Sequence, residues 1–199
     1  MDWSKDWDQL YQEKGRVFGE EPKPLVREAL KLWKPPSQHP NAFDIGSYSG
    51  RNTLLLARQG FRVTALDPSK PALQDLKQQA EKENLACEIK AGFIETHEWS
   101  EDYDVIIFSG VSHSLASSDV EKVFEHMKKH TKPGGLNLVS AFAEHVRSHQ
   151  RSFILPTRLK EIYSGWELLT YEERVTSLKL PTPERDSVLV TELAARKND

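Results

Sequence analysis

The sequence predicts an α/β protein: a doubly wound, mostly parallel sheet that ends in a C-terminal antiparallel hairpin. Three observations predict it. Strand and helix signals alternate from about residue 41 to residue 142, the pattern of a parallel sheet with helices on both faces. Phe43-Asp44-Ile45-Gly46-Ser47-Tyr48-Ser49-Gly50-Arg51-Asn52 runs from a short apolar strand through a glycine turn into a helix. Asp67 closes a second strand, Phe61 to Asp67. A glycine turn after one strand and an acid at the tip of the next is how such sheets hold a nucleoside.

The elements follow in order. About residues 4 to 20, Trp3, Trp7, Leu10 and Tyr11 share one helical face, and Gly15 and Gly19 break the helix. Pro22 and Pro24 open a second helix that runs to about Trp33, and Pro35-Pro36-Ser37 ends it. The first strand is expected at 41–46. A helix at 51–60 buries Leu54, Leu55, Leu56 and Ala57 and stops at Gly60. The second strand spans 61–67, and Pro68-Ser69 starts a helix with Ala72, Leu73, Leu76 and Ala80 inside. A third strand covers Cys87 to Ala91. Tyr103 to Ser109, almost unbroken in apolar residues, reads as a central strand. Ser118-Asp119 is expected to cap a helix carrying Val120, Val123, Phe124 and Met127. Lys132-Pro133-Gly134-Gly135 reads as a turn before a fifth strand, Leu136 to Phe142. Thr157 to Tyr163 is a short helix. Trp166 to Leu180 and Ser187 to Arg196 are two strands joined by 181–186.

Composition narrows the function. A chain of 199 residues supports one sizeable core, so a single domain over 1–199 is expected. It divides into an N-terminal helical cap (1–36), a cofactor-binding core (41–142) and a C-terminal helix and hairpin (155–199). A net charge of -3 and the lack of a basic run argue against nucleic acid as partner. No apolar stretch is long enough to span a bilayer. The N-terminus is polar and acidic, unlike a leader peptide. One cysteine, Cys87, excludes an internal disulfide and any multi-cysteine metal site. A cytoplasmic location is expected. His126/His130 and His145/His149 lie four apart, but no third ligand is nearby, so no metal is expected.

A nicotinamide or flavin site wants G-x-G-x-x-G. Here Tyr48 takes the second glycine's place and Arg51 the third. S-adenosylmethionine has no phosphate, and its cationic sulfonium and amino group suit Asp44. An acid followed by spaced glycines is the class I methyltransferase pattern; Asp44, Gly46 and Gly50 fit it, and Tyr48 departs from it.

Those residues, with Ala57, Gly60-Phe61 and Val63 to Asp67, resemble the TehB-like tellurite-resistance methyltransferases of class I. The resemblance extends to Tyr103 to Ile107, Thr131 to Gly135, Tyr163 to Glu167 and Ala195-Arg196-Lys197. Trp7 to Tyr11 and Phe18 to Pro22 resemble the N-terminal cap of related small bacterial methyltransferases. The resemblance implies a Rossmann-like, seven-stranded sheet, bound S-adenosylmethionine, and methyl transfer to a small-molecule acceptor such as a thiol or chalcogen oxyanion. It implies a cofactor site of Asp44, Gly46, Ser47, Tyr48, Gly50, Arg51, Asn52, Asp67, Pro68, Phe93, Ile94, Ser109 and Gly110. Two readings stay open at Asp67, ribose ligand and helix N-cap, and they are compatible. Phe93 stands where the family has an acid for the adenine, and the backbone N–H of Ile94 remains available to the ring.

His113, just past the fourth strand, is a candidate general base. Tyr11 and Arg16, counted with His113 and Arg185 as candidate catalytic residues, are expected to form a lid with Phe18. Arg185 aligns with a family arginine and would attract an anionic acceptor, while the family's His-Arg pair falls at Lys179-Leu180. The rival readings are a protein that keeps the fold without turnover, a nucleic-acid or protein methyltransferase, and a nicotinamide enzyme. A monomer or homodimer is expected.

Overall fold

The first five strands alternate with helices because short, nearly continuous apolar runs, buried on both faces, are separated by segments whose apolar residues recur near every 3.6 positions. In the computed structural model, residues 3–35, 38–145, 156–177 and 187–199 are described. The elements are α1 (Trp3–Lys14), α2 (Pro24–Leu32), β1 (Asn41–Ile45), α3 (Arg51–Arg58), β2 (Arg62–Asp67), α4 (Lys70–Lys82), β3 (Cys87–Ala91), β4 (Tyr103–Ser109), α5 (Ser117–Lys129), β5 (Thr131–His145), α6 (Pro156–Ile162), β6 (Glu167–Ser177) and β7 (Ser187–Arg196). Short 3-10 turns at Ile94–Thr96 and Ser112–Ser114 follow β3 and β4.

The sheet order is β3-β2-β1-β4-β5-β7-β6. The first five strands are parallel, and β7 is antiparallel to both β5 and β6. The chain reverses direction across the sheet between β1 and β4, and ligands of such sheets sit beyond the carboxyl ends of the strands at that point. One face is covered by α2 and α3, with Val26, Ala29, Leu56 and Ala57 on Val63, Val105 and Leu138. The other is covered by α5 and α6, with Phe124, Met127 and Leu159 on Ile106, Phe108 and Val139.

Several boundaries differ from the sequence reading. α1 stops at Lys14 because Gly15 takes a left-handed φ of 62°. α5 starts at Ser117 with Ala116 in the N-cap position and no side-chain capping bond, so Ser118 and Asp119 lie inside the helix. The expected Lys132–Gly135 turn is absorbed into the start of β5. Its pairing with β4 jumps from Tyr103↔Thr131 to Val105↔Leu136, and the C-terminus pairs alongside through Lys197 N–H on Gly135 O at 2.9 Å. The jump leaves space for Lys132 Nζ to reach the fully buried Asp104 at 2.8 Å and Asn41 at 2.7 Å. This ties β1, β4 and β5 together at the end opposite the glycine loop.

Candidate active site

The loop after β1 is built by glycines with different jobs. Gly46 has φ 76°, and a Cβ there would lie 2.4 Å from Val111 Cγ2 and 3.3 Å from Ser109 O. Its missing side chain brings the loops after β1 and β4 together. Gly50 has φ 83°, and a Cβ there would strike Leu76 Cδ1 at 2.2 Å, so this glycine seats the loop on α4. Tyr48, in the place of the middle glycine, also adopts a left-handed φ of 49°. A bulky side chain pays strain for that backbone, and contacts offset it. The Tyr48 hydroxyl donates to Gly15 O at 3.0 Å. Its ring packs against Tyr11, Phe18 and Trp7 at centroid distances of 5.5, 5.2 and 6.4 Å. Tyr48 therefore points up into the cap, away from the cavity between β1, β2 and β4.

That cavity is lined by Ile45, Gly46, Leu66, Phe93, Ile94 and Val111, together with Gly92, Glu95, Ser114 and Leu115. It measures about 40 Å³, or about 300 Å³ with its open mouth included. Of the expected cofactor residues, Gly46, Phe93 and Ile94 line this cavity; Asp44, Asp67 and Pro68 do not, and Ser109 places its carbonyl beside Gly46. Gly110 turns the chain away at φ 70°, its N–H on Ser140 O at 2.9 Å. Glu95 escaped the sequence reading. It supplies an acid two residues after Phe93, and the signal available was its place on the turn following β3.

The acids are deeply placed. Asp67, 7% exposed, accepts Tyr48 N–H at 2.9 Å on Oδ2 and Ser69 N–H at 2.9 Å on Oδ1. Each oxygen keeps a second lone pair. Burial pushes Asp67 up to about 6, with the charges of Asp44 and Asp8 adding to the effect. Asp44 is fully buried, accepts Thr53 Oγ1–H at 2.6 Å on one oxygen, and is also pushed up to about 6 by burial. Its other oxygen has no hydrogen-bond partner. The same is true of Ser47 Oγ, Ser69 Oγ, Ser112 Oγ, His113 Nδ1 and Asp8 Oδ1. Buried polar atoms are nearly always paired. Here six unpaired ones, among the described residues, gather on β1, the loops after β1, β2 and β4, and the helix above.

The other expected site residues divide into four groups. His113 lies between Trp7 and Phe142, with ring centroids 6.1 and 5.1 Å away, and burial pulls its pKa down to about 4. Tyr11 and Arg16 donate to Asp75 on α4. Arg51 donates to Phe18 O at 2.7 Å, and Asn52 Oδ1 accepts Lys23 N–H at 3.0 Å, so both tie down the N-terminal segment. Arg185 lies outside the described residues. A cluster that the sequence did not reveal stands beside His113 on the same face of β5. Lys23 Nζ reaches Ser140 Oγ at 2.7 Å and Glu192 Oε1 at 3.5 Å, and Arg174 reaches Glu192 Oε1 at 3.2 Å. Burial raises the Glu192 carboxyl, but Lys23 and Arg174 more than offset it and hold the group low. His126 and His130 stack with Trp99, and no group of metal-ligating side chains occurs among the described residues.

Comparison with known proteins places these features in a family. The model of the tellurite resistance protein TehB matches residues 9–187. Hemagglutinin 1 of Eikenella corrodens is 34% identical over 154 residues, covering 75% of this chain and 50% of that protein. A probable S-adenosyl-L-methionine-dependent methyltransferase TehB of Haemophilus influenzae is 32% identical over 142 residues, 68% of this chain and 49% of that one. The chain thus spans about half the length of the curated relatives it matches. The crystal structure of TehB from Haemophilus influenzae superposes with a TM-score of 0.81 at 27% identity, over 96% of this chain and 67% of that one.

Proposed function

The chain belongs to the TehB family of tellurite resistance proteins, and from that premise we propose that it is an S-adenosylmethionine-dependent methyltransferase acting on a small molecule. One observation carries the reading: unpaired buried polar atoms converge around Gly46 at the carboxyl edge of β1, β2 and β4. That donor and acceptor set suits a polar nucleoside with a cationic tail. Asp67 would take the ribose hydroxyls on its remaining lone pairs. Asp44 would face the cationic end. Ile45, Leu66, Phe93, Ile94 and Val111 would enclose the base, with Glu95 as its acidic neighbour.

When bound, the cofactor supplies an electrophilic methyl group. The residues of this chain bring the acceptor into line with it and keep water out, which is most of what such a displacement needs. Trp7 and Phe142 wall off the side where His113 stands. At a pKa of about 4, His113 is neutral at physiological pH and a weak base. That favours an acceptor which is already nucleophilic without losing a proton, a thiolate or a chalcogen oxyanion. Lys23 and Arg174 nearby suit its negative charge. A cytoplasmic setting fits this chemistry, and no described helix is long and apolar enough to cross a membrane.

The test is release of S-adenosylhomocysteine across thiols, selenite, tellurite and small phenols. Turnover is expected with the first three and not with phenols, which need a base. The narrowness of the cavity favours a second reading, a protein that keeps the fold without turnover. Calorimetry separates the two: failure to bind S-adenosylmethionine up to millimolar concentration would leave only the second.

A further inference from the structure

The N-terminal segment lies over Tyr48 and His113. Tyr48 and Arg51 donate to its Gly15 and Phe18 carbonyls, and, among the described residues, all of its charged fastening to the sheet's helices goes to one carboxylate. Asp75, on α4, accepts Tyr11 Oη–H at 2.6 Å, Arg16 Nε–H at 2.7 Å and Arg16 Nη2–H at 2.7 Å. Gln79 Nε2 donates to it at 3.3 Å and steadies it. The guanidinium holds the Asp75 carboxyl below its usual range, so the bonds to it are charge-assisted and among the stronger kind. Asp75 does not line the cavity.

Three features make the covering segment a movable piece. Closure buries Asp8 Oδ1 and His113 Nδ1 without partners, which costs desolvation. Gly19, at φ 74° with open space around it, separates Phe18 from the anchored stretch where Lys23 N–H meets Asn52, and it can serve as a pivot. Trp7 meets Tyr48 and His113 through ring contacts, at centroid distances of 6.4 and 6.1 Å, and these part without leaving a polar group unpaired.

We infer that residues 3–18 form a hinged cover over the crevice and that Asp75 is its latch, a positioning residue that acts through Tyr11 and Arg16 and sets how fast the nucleoside ligand enters and leaves. The ligand half of this inference rests on the methyltransferase reading. Tyr11 and Arg16 then belong to the fastening of the cover.

Two measurements on the whole chain test it. Amide hydrogen exchange is followed by mass spectrometry in the parent, Asp75→Asn and Tyr11→Phe. Dissociation of S-adenosylhomocysteine is followed by stopped flow in the same proteins. In Asp75→Asn, exchange over residues 3–18 rises about tenfold while 41–142 is unchanged, and ligand dissociation quickens by a similar factor. Tyr11→Phe gives a smaller change of the same pattern. Combining Asp75→Asn with Arg16→Ala adds little to either alone, because both remove one interaction. Unchanged exchange over 3–18, or equal acceleration throughout the core, overturns the latch. If the parent binds no S-adenosylhomocysteine, the methyltransferase reading and the ligand half fall, and exchange alone still decides whether Asp75 holds the cover.

Discussion

At the scale of single residues, the loop after β1 shows how identical backbone demands meet different side chains. Gly46, Tyr48 and Gly50 all have positive φ, yet only Gly46 is hemmed in by the loop after β4. Gly46→Ala places a methyl against Val111 and Ser109 O in a strained backbone. The expected outcome is a stability loss of about 1–3 kcal/mol, read by urea unfolding. At least a tenfold loss of S-adenosylmethionine affinity by calorimetry should accompany it. Equal affinity in the variant would move the ligand away from this loop. Tyr48 keeps its left-handed backbone because the cover supplies a hydrogen bond and three aromatic neighbours, which glycine would forgo.

At the scale of elements, the two ends of the parallel strands hold their buried acids differently. At the carboxyl edge Asp44 and Asp67 accept only from neutral hydroxyl and backbone N–H donors. At the amino edge Asp104 Oδ2 on β4 accepts Asn41 N–H from β1 and the Lys132 ammonium from β5, while its Oδ1 is unpaired. Lys132→Met strands a fully buried carboxylate and should destabilise the fold by about 2–4 kcal/mol. The double variant Asp104→Asn, Lys132→Met should recover part of that loss. If Lys132→Met costs nothing in chemical denaturation, the three-strand tie is not a source of stability. The long β5 also explains why β7 inserts between β5 and β6. Leu136 to Phe142 pair with Arg196 to Val190 over their whole length, which buries Leu193, Ala194 and Ala195.

At the scale of the whole molecule, burial of Asp44 and Asp67 links folding and binding to pH. Both carboxyls are raised from 3.8 to about 6, chiefly by desolvation. The folded protein therefore holds their protons longer than the unfolded chain does. The stability they contribute is full below the unfolded value and is lost as pH rises through about 6. Relative to the parent, Asp67→Asn should gain a few kcal/mol of unfolding free energy between about pH 4 and pH 6.5 and stay level above. Equilibrium unfolding across that range checks it, and a pH-independent difference would refute it. Binding runs the other way. S-adenosylmethionine affinity should rise over the same window as the carboxylates ionise, more steeply than that of S-adenosylhomocysteine, which lacks the sulfonium charge.

Most of the fold was legible in the chain. Apolar patterning reports burial directly, so the unbroken run Tyr103 to Ser109 declared a central strand and Trp166 onward an antiparallel end. The α5 start differs because capping preferences are weak beside packing, and the Lys132 turn because β5 bulges out extra residues between its pairings at Thr131 and Leu136. The glycine turn after β1 and the places of Asp44 and Asp67 near the ends of β1 and β2 were legible because they follow from local sequence. Tertiary structure alone decided where the N-terminal segment is fastened. Tyr11 and Arg16 meet Asp75 across 64 and 59 residues, and Lys23 meets Glu192 across 169. Local pattern states which face of a helix is buried; it carries no information about which distant carboxylate that face will find.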